Sequence, residues 1–308
     1  MDHVTLHSLD APASALGMGC ASLGSRVGAK AARAALDRAF EAGVTWYDLA
    51  PAYGAGQAEE IFAGFAKDKR DRIQICTKVG LLPPKPSMLK RMLMPIARPI
   101  AGAIKPIRAA IKGSGLTANR AVTLTSDLLV SSLDQSLIRL NTDRIDVYAL
   151  HNVRPEDLQN DALLRTLEDI KTSGKARAIA TASSHAAAAA GIATKHIDVV
   201  QMAHPDLPEG LIATAQARKI DTITHSVFGV AGSLKTLEAK LDSQTRATLH
   251  DMGFETAADL LLARARATNP AGITLCSMMS PRSLNANIRA AHLPLSHEAQ
   301  SLCATFGI

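Results

Sequence analysis

The chain has 308 residues, of which 47% are hydrophobic and 20% charged, a balance that excludes a disordered polypeptide and allows one large domain with a substantial core. The formal charge is +6, yet residues 81–120 hold eight Lys or Arg and no Asp or Glu, against 26 basic and 28 acidic residues elsewhere, so the basic balance belongs to one segment and not to the domain as a whole. Four widely spaced cysteines form no CxxC or Cys/His cluster, which excludes a structural metal site of the usual spacing and leaves metal ligands as none. The N-terminus has no basic stretch leading into an apolar run, and the expected setting is a reducing cytoplasm with free thiols.

Along the chain, short apolar runs alternate with helical patterns. A strand at Ala15–Cys20 precedes a helix at Lys30–Ala42 that stops at Gly43, a residue suited to a left-handed helix end. Then follow a strand at Val44–Tyr47, a helix at Gln57–Phe65, a strand at Ile73–Thr77, a helix capped by Ser126 and running to Leu140, and a strand at Ile145–Leu150. A helix at Leu158–Thr172 ends at Gly174, and four more strands are expected at Ala178–Thr181, Val199–Met202, Thr222–His225 and Thr274–Cys276. Helices fit between and after them at Ala186–Ala193, Gly210–Arg218, Thr256–Ala267 and Ser280–Ala290. Such alternation specifies a parallel sheet, and eight units favour its closure into a (β/α)8 TIM barrel, an α/β fold spanning residues 1–308 as a single domain. Two stretches interrupt the alternation, the basic 81–120 insertion after the third strand and a partly helical stretch at 230–255. Both follow strands, which places both on the rim where barrels build their sites.

The 81–120 segment carries four prolines from Pro86 on, and charges break every long apolar run, so it does not read as a transmembrane helix. It contains no aromatic residue to stack bases, and no nucleic-acid partner is expected. Three readings stay open: a rim lid with solvated cations, a lid that recognises an acidic or phosphorylated group, and contact with an anionic membrane surface. The glycines at 17, 19 and 24 lack the GxGxxG spacing, and a tight turn after the first strand is the better reading.

Four polar residues stand at or just past strand ends: Asp48, Tyr53 five residues later, Lys78 and His151. Each has an ordinary reading alone: a cap, a turn tyrosine, a solvent-facing lysine, a satisfied histidine. Together they suit proton transfer, because a phenol with an ordinary pKa near 10 needs a cation beside it to act near neutrality. An Asp can hold that cation, and a His can aim a second hydrogen bond at a substrate oxygen. No Ser or Cys stands beside a base in a recognisable nucleophile motif.

The stretch LDRAFEAGVTWYDLAPAYG, with IQICTKVG and SLIRLNTDRIDVYALHNV, resembles the aldo-keto reductase superfamily of the bacterial type over nearly the whole chain. The resemblance implies a (β/α)8 barrel binding NADPH, or NADH, across its rim, and an oxidoreductase interconverting a carbonyl (aldehyde, ketone or sugar) and its alcohol. It implies Tyr53 as general acid/base, helped by Lys78 and Asp48, with His151 orienting the carbonyl. It further implies Gln201 on the nicotinamide amide, Ser183 in place of the family's asparagine, and His225 in place of the stacking aromatic, followed by Ser226. LCSMMSPRSLNANI resembles the family's adenosine-phosphate clamp, which implies Ser280, Arg282, Ser283 and Asn287 as candidates there. Ala182 lacks the family's hydroxyl and Ser277 replaces a lysine common in NADPH enzymes. The alternative to an enzyme is a reductase-like barrel that binds NADP(H) as a sensor or regulatory subunit with little turnover. A third reading is a barrel isomerase or lyase without nicotinamide.

Overall fold

The computed structural model describes residues 1–83, 119–229 and 233–306. The chain opens with an antiparallel hairpin, β1 (His3–Leu6) and β2 (Ala11–Ser14). Eight strands then close into an all-parallel barrel: β3 (Leu16–Gly19), β4 (Trp46–Asp48), β5 (Gln74–Val79), β8 (Ile145–His151), β9 (Ala176–Ala182), β10 (Val199–Ala203), β11 (Asp221–His225) and β12 (Ile273–Cys276). The two short strands between β5 and β8, β6 (Leu81–Leu82) and β7 (Arg120–Ala121), pair with each other outside the barrel. They are the described ends of the basic insertion, whose residues 84–118 lie outside the described part of the chain.

Parallel strands need long crossovers, and here helices supply them. These are α1 (Ala29–Glu41), α2 (Ala58–Ala66), α3 (Ser126–Leu140), α4 (Asp161–Thr172), α5 (His185–Ala193), α6 (Leu211–Ala217) and α9 (Ala257–Thr268), with α10 (Pro281–Ala291) after the last strand. The 230–255 stretch holds two short helices, α7 (Ser233–Lys240) and α8 (Ser243–Asp251). Glycine 43 ends the first helix with φ of +88°.

Three local expectations shift, the first two for identifiable reasons. Thr125, not Ser126, caps α3, because its hydroxyl accepts the amide of Leu128 while Ser126 is already helical. The helix expected at Leu158–Thr172 is divided. A 3-10 turn at Pro155–Gln159 comes first, and Asn160 then restarts the chain by accepting the amides of Ala162 and Leu163. The second strand begins at Trp46, two residues late. The hairpin and a last helix, α11 (His297–Phe306), had no counterpart in the alternation.

Side chains alternate along each strand. One set packs outward under the helices; the other fills the barrel, with Trp46, Cys76, Val147, Ala149, Ala178, Ala180, Val199, Ile223, Ile273 and Leu275 in one cluster. The many alanines there leave room for one large ring, that of Trp46. Gly17 faces it because a Cβ would lie 2.7 Å from Trp46 Cδ1 and 2.6 Å from Leu275 Cδ2. Val4, Leu6, Leu9 and Ala13 belong to the same cluster, so the hairpin stoppers the N-terminal end of the barrel. It is pinned there by the Asp221 carboxylate, which accepts the amides of His7 and Ser8 at 2.9 Å each. With that end sealed, the C-terminal mouth is where inward-facing polar side chains are placed.

Candidate active site

The alternation that puts Trp46 and Cys76 inside also points Asp48 and Lys78, two residues further on, into the mouth. Lys78 is 1% and Asp48 3% exposed. The Lys78 ammonium donates to Asp48 Oδ1 at 2.6 Å and to the Leu49 carbonyl at 2.8 Å. Burial alone would favour the neutral amine, but the Asp48 carboxylate, with Tyr53 and Cys76 adding to its effect, outweighs burial, and the Lys78 pKa lies above the ordinary lysine value.

Tyr53 opens a 3-10 turn, Tyr53–Gly56, that leads directly into α2. Gly54 makes the turn feasible: its φ is +61°, and a Cβ would fall 2.0 Å from the Leu23 carbonyl oxygen. The half-buried Tyr53 ring is seated with Lys78 Nζ 5.2 Å from its centroid. Burial pushes the phenol up to about 12, with the Lys78 charge acting in the opposite direction. His151, the last residue of β8, meets the same ring edge-on with centroids 6.4 Å apart. Burial, with the Lys78 charge, lowers its pKa to about 4, so the imidazole is neutral at pH 7, and its buried Nδ1 has no partner. Asp48, Tyr53, Lys78 and His151 therefore come together from three strand ends and a turn. A phenol, an adjacent ammonium and a neutral imidazole can deliver a proton to an oxygen and stabilise the charge left behind. The thiols of Cys20 and Cys76, also near this cluster, are fully buried and have pKa values raised by burial, which disfavours nucleophilic thiolates.

The remaining candidates occupy the other side of the mouth. Gln201 lies on β10 between Ala182 and Ile223 of the flanking strands; it is buried, and its Oε1 has no partner. Ser183 follows β9, its hydroxyl donating to the Val153 carbonyl at 2.7 Å. His225 ends β11 and shares a 2.9 Å hydrogen bond through Nδ1 with the Ser226 hydroxyl. Burial lowers its pKa, and Asp48 and Lys78 are near enough to act on it. Ser280, Ser283 and Asn287 are already engaged, the first two at the start of α10 and Asn287 midway along it. Ser280 and Ser283 form a reciprocal capping box, and Asn287 donates to the Ser277 carbonyl at 3.2 Å. Arg282 is exposed on the first turn of that helix.

Two features escaped the reading of the sequence. His185, at the start of α5, contacts the Ala203 carbonyl through Nε2 at 2.8 Å and acts electrostatically on His225. Glu59 is buried on α2. Its signal was available, because Glu59, Phe62 and Ala66 share one helix stripe, and a lone carboxylate on an apolar stripe calls for partners.

The fold and this mouth define a TIM-barrel protein whose polar cluster sits at the C-terminal ends of its strands. The chain belongs to the aldo/keto reductase family, whose family model matches residues 15–306. It is 29% identical over 257 residues to a D-threo-aldose 1-dehydrogenase of a Pseudomonas species, covering 75% of this chain and 70% of that one. It is likewise 29% identical over 143 residues to a pyridoxal 4-dehydrogenase of Microbacterium luteolum, covering 46% of this chain and 40% of the relative. Among solved structures, the barrel resembles an aldo-keto reductase from Bacillus halodurans in its holo form, with a TM-score of 0.73 at 20% identity over 99% of this chain and 96% of that one. It resembles an aldo-keto reductase from Klebsiella pneumoniae in complex with NADPH with a TM-score of 0.72 at 22% identity, over 99% and 96% of the two chains. No helix among the described residues is long and apolar enough to cross a membrane.

Proposed function

We propose that this oxidoreductase interconverts a small polar carbonyl compound and its alcohol with NADPH or NADH, using Tyr53 as the proton donor and acceptor. The observation that carries the reading is the buried Lys78 ammonium, fixed by Asp48 and Leu49 with its charge 5.2 Å from the Tyr53 ring centre. A buried lysine retained as a cation beside a phenol is costly unless that charge is used.

The mouth fits a nicotinamide cofactor in one specific respect. Gln201 Oε1 is a buried acceptor without a partner, suited to a carboxamide N–H. Gln201 and Ser183 would hold the nicotinamide end and His225 would lie against its ring. Ser226 would meet the phosphates, and the α10 residues Ser280, Arg282, Ser283 and Asn287 the adenosine end, where a guanidinium fork suits a 2′-phosphate. When bound, the reduced cofactor supplies the hydride to the carbonyl carbon.

The rest is the work of this chain's residues. Tyr53 is protonated at pH 7, its pKa being pushed up to about 12, so it is poised to give a proton to the developing alkoxide oxygen. Lys78 stabilises the phenolate that remains, Asp48 keeps the ammonium charged and aimed, and solvent returns the proton. His151, neutral because its pKa is lowered to about 4, offers an imidazole N–H to the substrate oxygen without competing as an acid. The oxidation runs the same steps backwards, with Tyr53 as the base.

The test mixes the protein with NADPH or NADH and follows cofactor fluorescence, then turnover on a panel of aldoses, pyridoxal and simple aldehydes. That panel is chosen because the relatives are named for an aldose and for pyridoxal. Turnover abolished by Tyr53→Phe, with cofactor binding kept, is the expected outcome. Binding without turnover on the whole panel points instead to a sensor, and absence of binding defeats both readings.

A further inference from the structure

Behind the strand that carries Lys78 lies a second buried charge that the proposed reaction does not use. Glu59 on α2 is 1% exposed, and both of its carboxylate oxygens are taken. Oε1 accepts from the Thr77 hydroxyl at 2.6 Å, and Oε2 accepts from Arg139 Nε at 2.6 Å. Arg139 donates in turn to the Ser136 hydroxyl one turn earlier on α3. Thr77 is the residue before Lys78 and is wholly buried; because strand side chains alternate, it faces the helices while Lys78 faces the mouth.

This bond joins the two pieces of chain whose relative position the site depends on. The turn that carries Tyr53 runs without interruption into α2, where Glu59 sits on the second residue. The segment from Asp48 to Glu59, which contains the turn, is thus held at both ends by neighbouring residues of one strand. Lys78 grips its start through Asp48 and the Leu49 carbonyl. Thr77 grips its continuation through Glu59. Gly54, closed against the Leu23 carbonyl, fixes its middle. A buried ion pair is weak evidence for stability, since apolar groups of the same shape often serve as well. A carboxylate that must meet a hydroxyl at one residue and a guanidinium at another instead sets register.

We propose that Glu59, through Thr77 and Arg139, is a positioning residue that fixes the Tyr53 hydroxyl relative to the Lys78 ammonium. The inference deepens the proposed function and rests on it for the identity of the reacting groups.

Because Glu59→Ala removes a buried carboxylate and leaves the half-buried Arg139 without its ion pair, which can destabilise the fold by itself, the decisive pair is Thr77→Val and Thr77→Ser. Valine keeps the shape and deletes the hydroxyl, whereas serine keeps the hydroxyl. With NADPH and a carbonyl of the panel that the native chain reduces, Thr77→Val is expected to lower kcat by about tenfold to a hundredfold, the scale of a misplacement near 1 Å. The KM for NADPH should stay within about twofold, because the proposed cofactor residues lie on other strands, and Thr77→Ser should restore kcat to within about threefold. A second readout needs no substrate: the ring 13C signal of Tyr53, assigned through Tyr53→Phe, is titrated in each variant. Separation of the phenol from the ammonium moves its titration to higher pH in Thr77→Val and leaves it in place in Thr77→Ser. A Thr77→Val protein with native kcat and native Tyr53 titration, whatever its melting temperature, overturns the proposal. If the native chain reduces nothing on the panel, the functional reading fails, and the titration alone still decides whether Glu59 positions Tyr53.

Discussion

Replacing Lys78 by methionine isolates the contribution of one buried charge. The ammonium makes two hydrogen bonds, to Asp48 Oδ1 and to the Leu49 carbonyl, and is 1% exposed. Removing it strands the Asp48 carboxylate, whose Oδ2 already has no partner. Breaking one side of a buried pair costs about 3–5 kcal/mol. For 308 residues, an unfolding entropy near 2.1 cal/mol/K per residue comes to about 0.65 kcal/mol/K, so the melting temperature should fall by about 5–8 °C. In Asp48→Leu/Lys78→Met no charge remains, and only the Leu49 carbonyl is left unsatisfied, a cost of about 1–3 kcal/mol or roughly 2–5 °C. The double variant should therefore melt above the single one while turning over nothing. Differential scanning calorimetry at pH 7 separates the two. Equal melting of single and double variants would refute the claim that a stranded carboxylate dominates the loss. The pH dependence adds a check on sign. Because the Lys78 pKa is raised on folding, its contribution is fully present below the ordinary lysine value near 10.4 and is lost only as pH rises through the folded value. The difference between native chain and Lys78→Met should then stay level between about pH 7 and 9.

Two further predictions concern stability. His151 and His204 are both lowered to about 4, chiefly by burial, with Lys78 adding to the first and Arg264 to the second. Depressed histidines leave the unfolded chain binding more protons than the folded one between that value and about 6.5. Thermal stability should therefore hold above about pH 6.5 and decline as pH falls towards 4. The His151→Gln/His204→Gln variant should flatten that decline in calorimetric scans, and an unchanged slope would show that other groups drive it. Gly17→Ala places a methyl group 2.6 Å from Leu275 Cδ2 and 2.7 Å from Trp46 Cδ1. Overpacking of this kind costs about 1–3 kcal/mol, measurable as a lower urea midpoint with a shifted emission from Trp46, the only tryptophan in the chain. Trp46→Phe in the same background should recover part of the loss.

Most of the barrel was legible in the sequence because each βα unit is specified locally. Apolar runs of strand length, a capping Ser or Thr and a glycine at helix ends set the order of elements, and all eight barrel strands lie within about two residues of their expected starts. The hairpin was not legible. HVTL and APAS are short, and their burial depends on the open barrel end that they fill, a surface made by residues hundreds of positions away. Asn160 restarting a helix inside an apolar pattern shows the same limit at smaller scale, because a side chain bonding its own backbone outcompetes periodicity.

The sequence by itself determined which chemistry-bearing residues end which strands. Asp48, Lys78 and His151 were marked by being polar at the ends of apolar runs, and Tyr53 by its fixed distance from Asp48. Only the tertiary structure decided how these groups are charged and held: Lys78 shared between Asp48 and Leu49, His151 kept neutral by burial, and the Asp48–Glu59 segment that carries Tyr53 bonded at each end to β5. The physical reason is that strand identity is a local property, whereas desolvation and the pairing of charges belong to the closed barrel, which brings β4, β5 and β8 to one rim. Glu59 lies on that boundary: its place on an apolar stripe could be read in one dimension, but its partners Thr77 and Arg139 could be found only in three.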